Sequence, residues 1–231
     1  MRFSAAYYSL LEGIAEVERI ERHALRLESL DPVTNAPSVS ALVRGGIVLL
    51  SSHLEAYAKS LVEILLVRFH ARRLDVAKVP RRLLFFGSQD IIREIRDTSD
   101  PEKVASKILD LISRDGSNWV SQGPLSQEID WSVFEPGFAS PKVKNISKFL
   151  SRVGYAGLRS DLAQRQMGAH AAIINAVDHL VDTRNAIAHG DQNEKKTPLE
   201  LRGLRESTRR FCRDTDDVFA NWCKANLCTI R

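Results

Sequence analysis

Apolar residues recur three and four apart along most of the chain, the spacing that lines one face of an α-helix. Across residues 3–30 the positions Tyr7, Leu10, Leu11, Ile14, Val17, Ile20, Leu25 and Leu27 follow it and predict a long first helix. Asp31-Pro32 through Pro37 reads as a turn, with Ser38 as the N-cap of a second helix over residues 39–73. That helix carries Leu42, Val43, Ile47, Leu50, Leu54, Tyr57, Leu61, Ile64, Leu65 and Phe69, enough apolar positions to be largely buried. Gly45-Gly46 in its interior costs helix stability and marks close approach of a neighbouring helix.

The middle of the chain is less regular. Pro80 precedes the run Arg81-Arg82-Leu83-Leu84-Phe85-Phe86, and helical patterns cover residues 89–96 and 101–114, where Pro101 after Asp100 suits a first helical position. Residues 115–140 place Gly116, Gly123, Pro124 and Pro136 among Trp119, Trp131 and Phe134, and read as a long loop anchored by its aromatics. A short helix from Ser140-Pro141 to about residue 153 follows, then a turn and a connector rich in Arg and Gln. Residues 169–189, with Ile173, Ile174, Val177, Leu180, Val181 and Ile187, form the third long helix, stopped by Gly190. After a charged turn over residues 191–197, Thr197-Pro198 with Glu200 opens a last helix to about residue 224. No period-two pattern competes. The expectation is an all-α bundle, one domain over residues 1–231. It has four long helices, with shorter helices and a long loop inserted between the second and third at about residues 75–140.

Composition narrows the chemistry. At 44% hydrophobic, 27% charged and only 12 Gly and 8 Pro, the chain suits a helical protein better than a sandwich, a barrel or a disordered chain. The net charge of +4 permits an anionic partner, yet 33 basic against 29 acidic residues equally describes solvated helix faces. Cys212, Cys223 and Cys228 are odd in number with no C-x-x-C pair, which points to reduced thiols rather than a disulfide framework or zinc site. Arg2, Glu12, Glu16 and Glu18 interrupt the stretch a signal peptide would occupy, and the apolar run at residues 45–50 is soon broken by His53 and Glu55. A cytoplasmic protein without membrane contact is expected. The absence of H-E-x-x-H, P-loop and G-x-S-x-G spacings leaves no metal and no cofactor in the reading.

The segment with chemical content is Leu-Val-Asp-Thr-Arg-Asn-Ala-Ile-Ala-His-Gly-Asp at residues 180–191. An arginine that can hold a phosphate and a histidine that can move protons near neutral pH are the minimum for metal-free RNA cleavage. On a regular helix Asn185 and His189 share a face, whereas Arg184 and His189 stand about 140° apart. Asn185 is therefore placed to orient His189 or to contact substrate, and Arg184 reaches round by its long stem. The competing reading makes His189 a helix-end capping side chain and Arg184 a surface partner of Asp178, Asp182 or Asp191.

The string Arg184-Asn185-Ala186-Ile187-Ala188-His189-Gly190 resembles the signature of the HEPN superfamily (higher eukaryotes and prokaryotes nucleotide-binding), in particular the RiboL-PSP-HEPN and related toxin subfamilies. Residues 48–61, with His53, Glu55 and Lys59 in an H-x-E-x-x-x-K arrangement, resemble the second helix of prokaryotic members. The resemblance covers most of the chain outside about residues 75–140. It implies a homodimer in which the motif helices of two copies face each other and form a composite, metal-independent endoribonuclease site. In it Arg184 holds the scissile phosphate, His189 transfers protons and Asn185 positions either. The RNA 2′-hydroxyl attacks the adjacent phosphorus, so DNA is spared. A toxin or defence role with a cognate antitoxin protein is implied as well, and the alternative is a non-catalytic HEPN module that binds RNA, a nucleotide or a protein partner.

Glu55 and Lys59, four apart, form a helix ion pair that supports the site rather than reacting, with His53 beside them. Arg202, Arg205 and Arg209 share a face of the last helix and are candidates for tracking an RNA backbone, alongside basic clusters at Arg72-Arg73, Arg81-Arg82, Arg210 and Arg213. His23 and His70 read as ordinary surface or boundary residues, and His170 and His179 lie on opposite sides of the motif helix, too far round to share a metal.

Overall fold

The computed structural model describes residues 3–120, 123–125, 129–191 and 195–231. Among these the chain is all-α: α1 (Ala5–Leu30), α2 (Ala36–Ala71), α3 (Arg81–Gly87), α4 (Gln89–Asp97), α5 (Pro101–Val120), α6 (Val143–Arg152), α7 (Leu158–Gln166), α8 (His170–Ala188) and α9 (Pro198–Asn226), with 3-10 turns at Val76–Lys78, Trp131–Phe134 and Met167–Ala169. Helices α1, α2, α8 and α9 pack on one another as the main bundle, and α3 to α7 fill the connection between α2 and α8. A contiguous apolar cluster runs from Ala6 through to Ile230.

Helix α2 is the centre of the bundle. Its 36 residues span about 54 Å, and it meets α1, α8 and α9 along Val43, Ile47, Leu50, Leu54, Leu61 and Leu65, all inaccessible to solvent. It starts earlier than its apolar periodicity suggests, and Ser38 is not its cap. The Asp31 carboxylate accepts the Val33 and Thr34 amides at 3.1 and 3.0 Å, closing the preceding turn itself. Asn35 then takes the cap position and Pro37 sits in the first turn, where a missing N–H costs nothing. Of the two interior glycines only Gly46 marks a close approach: a Cβ there would lie 2.7 Å from Leu201 Cδ2, while nothing stands within 4 Å of one at Gly45.

The inserted region holds more helix than its glycines and prolines suggested. Helix α5 continues to Val120 instead of ending near residue 114, so the first residues of the expected loop are helical. The extension is anchored from outside. Arg114 grips both oxygens of Asp90 at 2.9 and 3.0 Å, Ser88 donates to Asp115 at 2.7 Å, and the Trp119 indole donates to Ser88 at 3.2 Å. Residues 121–122 and 126–128 of that loop lie outside the described residues. Its later aromatics do pin it: Phe138 stacks on Phe149 of α6 with ring centres 4.3 Å apart, and Trp131 meets the same ring edge-on. Arg152 lies over the Phe86 and Phe149 rings and donates to the Phe134 and Pro136 carbonyls. The connector rich in Arg and Gln is α7.

Helix α9 opens with a complete capping box, Thr197 accepting the Glu200 amide at 3.2 Å while Glu200 accepts the Thr197 amide at 2.8 Å. Residues 192–194 of the charged turn before it lie outside the described residues. Further along, Asp214, Asp216 and Asp217 are buried, which their sequence does not announce, and they share two arginines. Asp214 accepts from Gln166 and Arg165, Asp216 from Ser4 and Arg231, and Asp217 pairs with Arg165 and Arg231. The network ties α7 and both chain ends to α9, satisfying carboxylates that would otherwise be prohibitive to bury.

Candidate functional site at the end of α8

Helix α8 turns Ile173, Val177, Leu180 and Val181 into the bundle. On that wheel Arg184 lies within about 20° of Val177, so its Cβ faces inward, and its side chain is half-buried. His189 lies on the opposite, solvent-facing side, in line with the exposed Ala171, Asn175, His179 and Asp182. The helix ends in a Schellman arrangement. The Gly190 amide returns to the Ile187 carbonyl at 3.1 Å and the Asp191 amide to that of Ala186 at 3.0 Å, with Gly190 at φ +82° where only glycine is unstrained. His189 is thereby the C-cap, held at the helix end by backbone, with its exposed imidazole left out of the closure.

The three residues of the motif are arranged differently from the simplest reading of their spacing. Asn185 accepts a hydrogen bond from Arg184 Nη1 at 3.1 Å, so its amide orients the guanidinium. The negative neighbours on α8 are occupied elsewhere: Asp182 pairs with Lys142 at 2.5 Å and Asp178 accepts the Val143 amide at 2.8 Å. Among the described residues no carboxylate pairs with Arg184.

The second-helix trio sits away from this end. His53 pairs with Glu16 of α1 at 3.2 Å; Lys59 lies between Glu55 at 3.1 Å and Glu135 at 2.8 Å, and the Glu135 carboxylate holds the ammonium above its ordinary value. Glu55 is eleven residues beyond Arg44, the residue of α2 that touches the end of α8, or about 16 Å along the helix axis. The arginine stripe of α9 divides. Arg202 and Arg205 both grip the buried Glu21 of α1, at 2.6 and 2.9 Å, and Arg205 is itself buried. Arg209 stays exposed and borders a groove with Phe3, Tyr7, Arg210 and Arg213.

Arg44 has no counterpart in the sequence reading. It donates from Nη1 to the Asp191 carbonyl at 3.0 Å, placing a guanidinium from α2 directly past the motif helix. The available signal was a single charge in the first half of α2, one residue before its glycine pair.

Other chemistry finds little support. Among the described residues no cluster of His, Cys, Asp and Glu could hold a metal ion, and no helix is long and apolar enough to cross a membrane. The three cysteines are free, and burial raises the thiols of Cys212 and Cys223 far from the reactive range. A cavity of about 190 Å³ lies between α3, α5 and residues 129–133, on elements other than those carrying the motif. A family model described as RiboL-PSP-HEPN matches residues 14–221 of the chain. No curated protein and no solved structure matches it.

Proposed function

We propose that this chain, which belongs to the RiboL-PSP-HEPN family and so to the HEPN superfamily, is a metal-independent endoribonuclease whose site is completed by α8 of a second copy. The observation that carries the reading is the pairing of an outward, exposed His189 with an Arg184 that has no carboxylate partner among the described residues. A guanidinium in that state is free to take a phosphate in bidentate fashion. An imidazole at the helix surface is accessible to a substrate lying across two facing α8 helices, and the small side chains of Ala171, Ala172, Ala186 and Ala188 let those helices approach.

The chemistry needs no protein nucleophile. The RNA 2′-hydroxyl gives its proton to an imidazole and attacks the adjacent phosphorus. The bond to the 5′-oxygen breaks, and an imidazolium protonates the leaving oxygen, leaving a cyclic phosphate and a 5′-hydroxyl. Arg184, oriented by Asn185, offsets the charge gathering on the phosphoryl oxygens. One chain supplies one such histidine, and two facing copies supply the base and the acid together. The toxin or defence role and the cognate antitoxin belong to this proposal too, and their test is whether a small protein copurifies with the chain.

Purified protein incubated with RNA in excess chelator tests the reading, with His189→Ala and Arg184→Ala alongside and light scattering to give the oligomeric state. Cleavage by the wild type and a loss of about 100-fold or more in each variant are expected. Absence of cleavage by the wild type, or equal cleavage by all three, refutes the enzyme. Retained RNA binding in that case favours the non-catalytic module.

A further inference from the structure

Arg44 interrupts the buried face of α2 beside Val43 and Ile47, and its half-buried side chain runs to the far end of α8. The Asp191 carbonyl takes one of its five N–H donors. Because Asp191 follows His189 by two residues, chain geometry keeps that guanidinium within about 13 Å of the His189 Cα. Most arginines set into the body of the protein meet carboxylates: Arg114 meets Asp90 and Asp115, Arg205 meets Glu21, and Arg165 and Arg231 meet the α9 aspartates, while Arg152 is held instead by two aromatic rings and two backbone carbonyls. Arg44 meets none among the described residues, and neither does Arg184.

Two half-buried guanidiniums at one end of one helix, with no carboxylate partner among the described residues, leave positive charge there for an anion to neutralise. The local dipole sharpens the point. The C-terminus of α8 presents about half a negative charge, which opposes a phosphate brought to His189, so a site there needs positive charge beyond Arg184 alone.

We infer that Arg44 is a phosphate-binding residue of the RNA site, contacting the backbone beside the scissile phosphate while its bond to Asp191 fixes the turn that carries His189. The inference rests on the ribonuclease reading for the identity of the anion.

Binding rather than cleavage tests it. An RNA oligonucleotide carrying 2′-O-methyl groups, which cannot be cut, is titrated with wild-type protein, Arg44→Gln and Arg44→Lys across a series of salt concentrations. Glutamine keeps a donor for the Asp191 carbonyl and loses the charge; lysine keeps the charge. For Arg44→Gln we expect binding roughly tenfold weaker at low salt and a plot of log affinity against log salt shallower by about 0.7, the share of one single-strand phosphate contact. Arg44→Lys is expected to keep the wild-type slope. A wild-type slope in Arg44→Gln reduces Arg44 to a peg for the turn and overturns the inference while leaving the ribonuclease reading standing. No binding by the wild type at any salt overturns both.

Discussion

Removing the Glu21 carboxylate asks how far the bundle depends on one buried ion pair. Glu21 is 1% exposed and lies between Arg205 Nε at 2.9 Å and Arg202 Nε at 2.6 Å, joining α1 to α9. Arg202 keeps 43% of its side chain in water and would rehydrate, so its share is small. Arg205 is different, because only 9% of its side chain is exposed. In Glu21→Ala its guanidinium stays buried with only the distant Glu18 and Glu206 carboxylates, at 4.0 and 3.9 Å, as partial compensation. Breaking such a pair from one side costs about 3–5 kcal/mol, and the residual neighbours place this case at the lower end. That corresponds to a fall in Tm of about 6–12 °C for a chain of this size. Urea unfolding followed by far-UV circular dichroism measures it, with an unchanged m-value required for the comparison to be clean. Glu21→Ala/Arg205→Met removes both charges and should recover most of the loss, since an apolar replacement of a whole buried pair is close to neutral. A cost below about 1 kcal/mol for the single variant, or no recovery in the double, refutes the assignment of Arg205 as a charge that depends on Glu21.

Two further outcomes follow from local geometry. Gly45→Ala should stabilise the chain by about 0.5–1 kcal/mol, because the site is open and helical. Gly46→Ala should destabilise it by about 1–3 kcal/mol through the clash with buried Leu201, and thermal melts giving both variants the same sign would contradict this packing. At the start of α9 the Thr197 amide, above all, holds the Glu200 carboxyl below its ordinary value of 4.5. A lowered folded value means that the capping interaction contributes fully above about pH 4.5 and is lost as the pH falls through the folded value. The stability advantage of wild type over Glu200→Gln should therefore shrink from pH 6 to pH 3, and a difference constant over that window would exclude the carboxylate as the source.

Long helices were legible because their evidence is local and repeated. The three-and-four spacing in α1, α2 and α8, the glycine after His189 and the Thr197-Pro198 start with Glu200 each draw on neighbours in sequence. Misreadings fell where a distant group decides a local outcome. So α5 outran its expected end because Asp90 and Ser88 hold its later turns, whereas Ser38 lost the cap to a nearby group, the Asp31 carboxylate that closes the turn before it. In the same way Arg202 and Arg205 share a face by spacing alone, and only the position of α1 shows that Glu21 occupies them.

The sequence by itself determined the fold class, the family and the helix that carries Arg184, Asn185 and His189, since apolar period and motif are both properties of consecutive residues. Tertiary structure decided which side chains are already partnered. Burial makes an unpaired charge costly, so packing assigned Arg205 to Glu21, added Glu135 to the Glu55–Lys59 pair that spacing already gave, turned Asn185 toward Arg184, and brought Arg44 from 147 residues away to the end of α8. No spacing along a chain encodes that meeting, because it depends on which faces of α2 and α8 the core brings together.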